Sequence, residues 1–215
     1  MIEQVEKMEE IEYLVQAQRV SQDVLKGPDN EEMEPMSLLF QTGYLTVKKE
    51  ELTKRGSVYT IDFPNYEVKD AFLTRLVAVC ARKTQREAEG IRDKIYESIE
   101  EKDEKKLEGS LRELYANIPY DLHTKRESYY HSLFLVATKM SGYEVEGEVH
   151  TDKGRIDAVL KDEERVIVVE IKYGKGKDIN KKIKETKYYE KYKSNKVSLL
   201  GIVFGEKKEI RCRFE

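Results

Sequence analysis

The sequence predicts an α/β protein. Its C-terminal part reads as a mixed sheet flanked by helices in the order αβββαβ, preceded by a helical and β-hairpin region. Three observations carry this. Short apolar runs with strand character lie at 143–150, 154–160, 165–172, 197–204 and 209–214, separated by glycines and charged turns. Helical periodicity fills 126–141 before the first three runs and 178–193 after them. The runs 165–172 and 197–204 are joined through the second of these helices, the crossover that a parallel strand pair requires.

The N-terminal elements follow in chain order. Val5, Met8, Ile11, Leu14 and Val15 recur at helical spacing, and Gly27-Pro28 stops the pattern, which predicts one helix over 2–26. An acidic linker over 28–35 and a short helix over 36–45 come next. The stretches 46–48 and 58–63 read as a hairpin around a charged turn containing Arg55-Gly56. A helix followed by a hairpin has two readings, a winged-helix remnant and a small lid or docking unit, with the lid favoured. Residues 65–118 carry three apolar stripes: Val68, Phe72, Leu73, Leu76, Val77 and Val79, then Ile91, Ile95 and Ile99, then Leu107, Leu111 and Leu114. Breaks are expected at Gly90 and in the charged run 101–104. The helix over 126–141 presents Tyr130, Leu133, Phe134, Ala137 and Met140, and Gly142 ends it.

Length and composition set bounds. A chain of 215 residues suits one domain of moderate size or two small ones. The expected division is an N-terminal unit over 1–63, a helical bracing segment over 64–125 and a core over 126–215. The chain is 38% charged, but its apolar residues cluster into periodic segments, so it folds. The net charge of −3 does not announce a nucleic-acid binder. The local balance differs: residues 173–196 hold nine lysines against Asp178, Glu185 and Glu190, a basic patch beside the third strand. Cys80 and Cys212 offer no disulfide framework, and His123, His131 and His150 lack metal-ligand spacing. No apolar stretch reaches membrane-spanning length, and the N-terminus lacks a signal pattern, so a cytoplasmic protein with no membrane partner is expected.

The chemistry concentrates in Asp157, Glu170 and Lys172. Side chains of a strand alternate, so Glu170 and Lys172 share one face and Ile171 points to the other. Asp157, on the neighbouring strand, reaches the same place. Two carboxylates and an ammonium beside a buried sheet are costly unless something binds there. An oxygen-ligated divalent cation fits, and phosphodiester hydrolysis is the chemistry such a cation serves.

The D-x12-E-x-K spacing resembles the PD-(D/E)XK nuclease superfamily, with Asp157 at the motif Asp and Glu170-Ile171-Lys172 at the (D/E)XK element. The resemblance implies a restriction-endonuclease-like core. It extends to Ser37-Leu38-Leu39-Phe40-Gln41-Thr42-Gly43-Tyr44-Leu45-Thr46, Phe63-Pro64-Asn65-Tyr66-Glu67-Val68, Glu127-Ser128-Tyr129-Tyr130-His131, Glu148 and Thr151 ahead of Gly154-Arg155-Ile156-Asp157, and Lys187-Tyr188-Tyr189-Glu190-Lys191-Tyr192. Together these are similar to the C-terminal part of AAA-ATPase-like proteins that carry such a nuclease domain. There are two departures. The chain has no GxxxxGK[ST] loop, so it reads as a stand-alone relative or a fragment. Lys182 stands where the family often has Gln, and as a point charge it can hold a phosphate.

On this reading Asp157 and Glu170 bind one Mg²⁺, with Mn²⁺ as a substitute and the Ile171 carbonyl as a third ligand. Lys172 orients or helps deprotonate the attacking water. Glu127 is a further catalytic candidate; its bland alternative is a first-turn acid favoured by the helix dipole. His131, one turn on, faces the same way. Glu148 matches a recurrent family position but could simply be solvated. Arg155, Lys182, Lys187, Tyr188 and Tyr192 are candidates for nucleic-acid contact. For Tyr188 and Tyr192 the alternative is packing on the sheet, favoured for at least one of them, and for Arg155 it is pairing with a carboxylate. The expected partners are nucleic acid, DNA before RNA, an ATPase domain or other protein in trans, and a second copy of the chain. Two other classes stand beside the nuclease: a non-catalytic nuclease-fold module that binds nucleic acid or docks an ATPase, and a winged-helix binder using the N-terminal hairpin.

Overall fold

The computed structural model describes residues 18–26, 35–54, 56–118, 126–151, 154–163, 165–174, 192, 196–205 and 209–215. Side chains at Asp23, Lys26, 126–128, His150 and Thr151 lie outside that description. The predicted helix over 178–193 and the linker over 28–34 fall outside the described residues, Tyr192 excepted.

The chain opens with strand β1 (Gln18–Ser21), helix α1 (Gln22–Lys26) and helix α2 (Pro35–Gln41). The expected single helix over 2–26 is therefore wrong at its C-terminal end. Gln18–Ser21 pairs antiparallel with β3 (Gly56–Asp62), Val20 lying opposite Tyr59. Tertiary pairing here overrides a helical spacing that Val20 and Val24 could continue. The hairpin of β2 (Thr46–Thr53) and β3 forms with longer strands than the expected 46–48 and 58–63, Thr53 lying opposite Gly56, which has φ +116. The small sheet runs β1-β3-β2. Edge strand β2 carries a register shift between Val47 and Lys49, and the Lys48 ammonium donates to the Pro64 carbonyl at 2.9 Å. Bulges and lysines of this kind hinder further strand pairing.

Helices α3 (Tyr66–Cys80), α4 (Gln85–Glu100) and α5 (Glu104–Tyr115) follow. Each begins at a side-chain cap. Asn65 accepts from the Val68 N–H at 2.9 Å, Thr84 and Glu87 form a capping box, and Asp103 accepts from the Lys106 N–H at 3.0 Å. The expected break at Gly90 is a correction: Gly90 lies inside α4, and the chain turns at 81–84, where Arg82 adopts φ +52 ahead of the capping box. The break at 101–104 is found, with Lys102 at φ +53. Ile91, Ile95 and Ile99 on α4 and Leu107, Leu111 and Leu114 on α5 are all buried, as their spacing requires.

Helix α6 (Arg126–Met140) leads into β4 (Glu144–Thr151), β5 (Gly154–Lys161), β6 (Arg165–Tyr173), β7 (Lys196–Phe204) and β8 (Ile210–Phe214). These five strands form one sheet in chain order, β6 and β7 parallel and the other neighbours antiparallel. The mixed α/β architecture is the one the sequence predicts. Buried residues from Val20 to Cys212 form one continuous apolar cluster that includes α3, α4, α5, α6 and one face of this sheet. A second cluster on the other face joins Ile156, Val159, Val166, Val168, Tyr192 and Leu199. Carboxylates of α5 close the last strand: Glu108 accepts from the Cys212 N–H and Glu104 from the Phe214 N–H, each at 3.0 Å.

Burial, and then the nearby Lys69, pushes the Lys139 ammonium in the last turn of α6 down to about 8; Asp62 and Glu144 act in the opposite direction. Between about 8 and the ordinary 10.5, the unfolded chain therefore holds a proton that the folded chain has released. Stability contributed by this group thus rises with pH through that window. We expect Lys139→Met to be more stable than the wild type at pH 7 and to lose that advantage above the window, as read by urea denaturation at several pH values. Parallel pH profiles for the two proteins would contradict it.

Candidate active site

Strand β6 sets the site's two faces. Ile167, Val169 and Ile171 join the main core cluster, and Val166 and Val168 join the smaller one. Glu170 and Lys172 continue the row of Val166 and Val168, by the alternation of a strand. Glu170 is buried, with 1% of its surface exposed, and Lys172 is half-buried. The parallel ladder to β7 sets Glu170 opposite Gly201 and Lys172 opposite Val203. Glycine at 201 places no side chain of β7 beside Glu170.

Strand β5 brings Asp157 to the same place by losing its regularity. Its ladder with β6 runs from Lys161 opposite Val166 to Ala158 opposite Val169. Beyond that pair the Asp157 carboxylate takes over, Oδ2 accepting from the Ile171 main-chain N–H at 2.7 Å. The N–H and C=O of one strand residue point to the same neighbour, so the Ile171 carbonyl also turns toward β5. The alternation of β5 breaks here as well. Ile156 and Val159, three apart, both lie in the smaller cluster, while Ala158 and Leu160 lie in the main one. On the β4 side, partners are formed at Gly147↔Ala158 and Val149↔Ile156. Between them Glu148 adopts φ +48, a conformation that costs a non-glycine residue about 1–3 kcal/mol. The Asp157 carbonyl lies 2.9 Å from His131 Nε2 on α6.

The other predicted residues are placed as follows. Glu148 and Arg155 form an ion pair at 3.0 Å with both side chains 53% exposed; Arg155 thus has the carboxylate partner that was its alternative. Tyr192 is buried in the smaller cluster, where packing on the sheet would put it, and the Lys161 ammonium lies 5.7 Å from its ring centroid. Glu127 lies in the first turn of α6, and its side chain is outside the described residues, as are Lys182, Lys187 and Tyr188. Three features escaped the sequence reading: the use of the Asp157 carboxylate to hold strand β6, the broken alternation of β5, and the glycine at 201 opposite Glu170. A glycine in an apolar strand is a signal for the third; nothing local signals the other two.

The donor chemistry suits a hard divalent cation. Asp157, Glu170 and the Ile171 carbonyl offer oxygen only, the ligand type that Mg²⁺ and Mn²⁺ take. A carboxylate oxygen carries two lone pairs, so the bond to Ile171 leaves Asp157 with acceptor capacity. Cation charge would also offset the cost of burying Glu170. Among the described residues no three His, Cys, Asp or Glu side chains gather as a metal group. Among the described residues the donors for a cation are thus the Asp157 and Glu170 carboxylates and the Ile171 carbonyl.

Removing the acceptor of the Ile171 N–H in Asp157→Ala is expected to cost about 1–3 kcal/mol of stability. Asp157→Asn keeps a carbonyl oxygen and is expected to stay within about 1 kcal/mol of the wild type. Urea denaturation separates the two; equal stability loss in both variants would contradict this role for the carboxylate.

Residues 125–214 match the sequence profile of the PD-(D/E)XK nuclease superfamily. Over 183 residues the chain is 26% identical to an uncharacterised protein in the vnfD 5′ region of Azotobacter chroococcum mcd 1. That match covers 79% of this chain and 34% of the relative, so the chain spans about a third of the relative's length. No helix among the described residues is long and apolar enough to cross a membrane. The stretch 125–214, which carries the five-stranded mixed sheet, is thus similar in sequence profile to the PD-(D/E)XK nuclease superfamily.

Proposed function

We propose that this chain is a Mg²⁺-dependent nuclease that hydrolyses phosphodiester bonds in DNA. The observation that supports it most is the junction of β5 and β6, where the Asp157 carboxylate bonds the Ile171 N–H between Glu170 and Lys172. Asp157, Glu170 and the Ile171 carbonyl would hold the cation. When bound, the cation makes water more acidic and offsets charge on the pentacovalent phosphorus. Lys172 shares the Glu170 face one pleat further along β6. There its ammonium is suited to orient the attacking water and to balance charge on a phosphate oxygen. Arg155 would reach a phosphate by exchanging Glu148 for it, since a half-exposed ion pair contributes little and exchanges readily. The nine lysines of 173–196 supply the local positive charge that a nucleic-acid backbone requires, against an overall net charge of −3.

Cleavage of plasmid and single-stranded DNA with Mg²⁺ or Mn²⁺ tests this, with wild type, Lys172→Ala and Glu170→Ala side by side. We expect cleavage by the wild type and a fall of at least about 100-fold in each variant, the scale on which positioned acid–base groups act. Wild-type protein that binds DNA without cutting it would favour a non-catalytic module or one that needs a partner such as an ATPase. That outcome fits a chain spanning about a third of its relative.

A further inference from the structure

We propose that His131 is a positioning residue for Asp157, fixing the main chain of β5 where the sheet no longer does; this rests on the reading of Asp157 as a cation ligand. A residue inside a regular strand is placed by its ladder, through bonds to the neighbours on both sides. Asp157 is placed differently. The formed register of β5 reaches Ala158 on the β6 side, and on the β4 side it skips from Ala158 to Ile156. Among the described residues, Asp157 is held by a bond at each end. Its carboxylate accepts the Ile171 N–H at 2.7 Å, and its carbonyl lies 2.9 Å from His131 Nε2. A carbonyl oxygen can only accept, so Nε2 carries the hydrogen in this contact.

The helix that delivers His131 is itself firmly set. The neighbouring Tyr130 is buried against Tyr115 and Phe204, with ring centroids 4.5 and 5.0 Å away. The Tyr115 hydroxyl donates to the Tyr130 carbonyl at 2.8 Å. Ser132, Leu133 and Phe134 are buried as well. His131 is half-buried among them and faces Asp157. The imidazole transmits the position of α6 to one peptide of β5, and so sets where the Asp157 carboxylate stands relative to Glu170. Groups that orient metal ligands in this way commonly govern affinity for the ion.

The test is Mn²⁺ titration by calorimetry on the whole chain, with wild type, Asp157→Ala, His131→Leu and His131→Gln, and a thermal melt of each. We expect His131→Leu to bind Mn²⁺ about 10–100-fold more weakly, and His131→Gln, whose amide places a donor near the Nε2 position, to recover most of that loss. A merely structural histidine would lower the melting temperature in both variants and leave the affinity of the folded protein unchanged. That result overturns the role of His131 while leaving the cation site standing. Wild-type protein that binds no Mn²⁺, or Asp157→Ala that binds it normally, overturns the cation reading and this proposal with it. Should His131→Leu fail to fold, the imidazole ¹⁵N spectrum of the wild type decides. Hydrogen on Nε2 supports the proposal, and a neutral ring with its hydrogen on Nδ1 overturns it.

Discussion

The hydrogen bond from the Ile171 N–H to the Asp157 carboxylate is the contact on which the candidate site depends. It replaces a ladder bond with a side-chain bond at the point where β5 and β6 stop pairing. Two consequences follow from that one substitution. The strands stay together although their main chains separate, and a carboxylate is carried into the gap beside Glu170. The site is thus a defect in a sheet, held open by the residue that would use it.

The rest of the fold reads as support for that defect. Strand β6 is apolar on both faces up to Val169, and the Glu170–Lys172 pair begins where this run ends. Its start is pinned by Arg165, which donates to Glu100 at the end of α4 and to Asp162 in the preceding turn; the Tyr143 hydroxyl donates to the same Glu100 at 2.8 Å. The far side of the sheet is set by α5 through Glu104 and Glu108. The regular pattern of these strands is interrupted at Asp157 and Glu148. Glu148 there takes a positive φ, the kind of locally unfavourable geometry that concentrates at functional sites.

Much of this was legible in the residues, for physical reasons. The strand bearing Glu170 announced itself because a sheet buried on both faces needs a continuous apolar run, and Val166, Ile167, Val168 and Val169 supply one. Helices α4 and α5 were legible through their Ile and Leu stripes, and α6 through the glycine that ends it. Strand β1 was not, because Gln18-Arg19-Val20-Ser21 has no pattern of its own and becomes a strand only through β3. Gly90 misled because a glycine weakens a helix without ending it, whereas the capping box at Thr84 and Glu87 forces a new start. Of the site, the acids and the lysine were readable from spacing. The contacts of His131 and Glu148 were not, because they depend on helix α6 and strand β4 arriving from elsewhere in the chain.

A crystal structure of the protein grown with Mn²⁺, with the metal located by its anomalous scattering, tests the account most directly. The expected result is a peak bounded by the Asp157 and Glu170 carboxylates and the Ile171 carbonyl, with Asp157 still accepting the Ile171 N–H. A peak elsewhere, or a sheet whose β5 ladder closes regularly through Asp157, would contradict it.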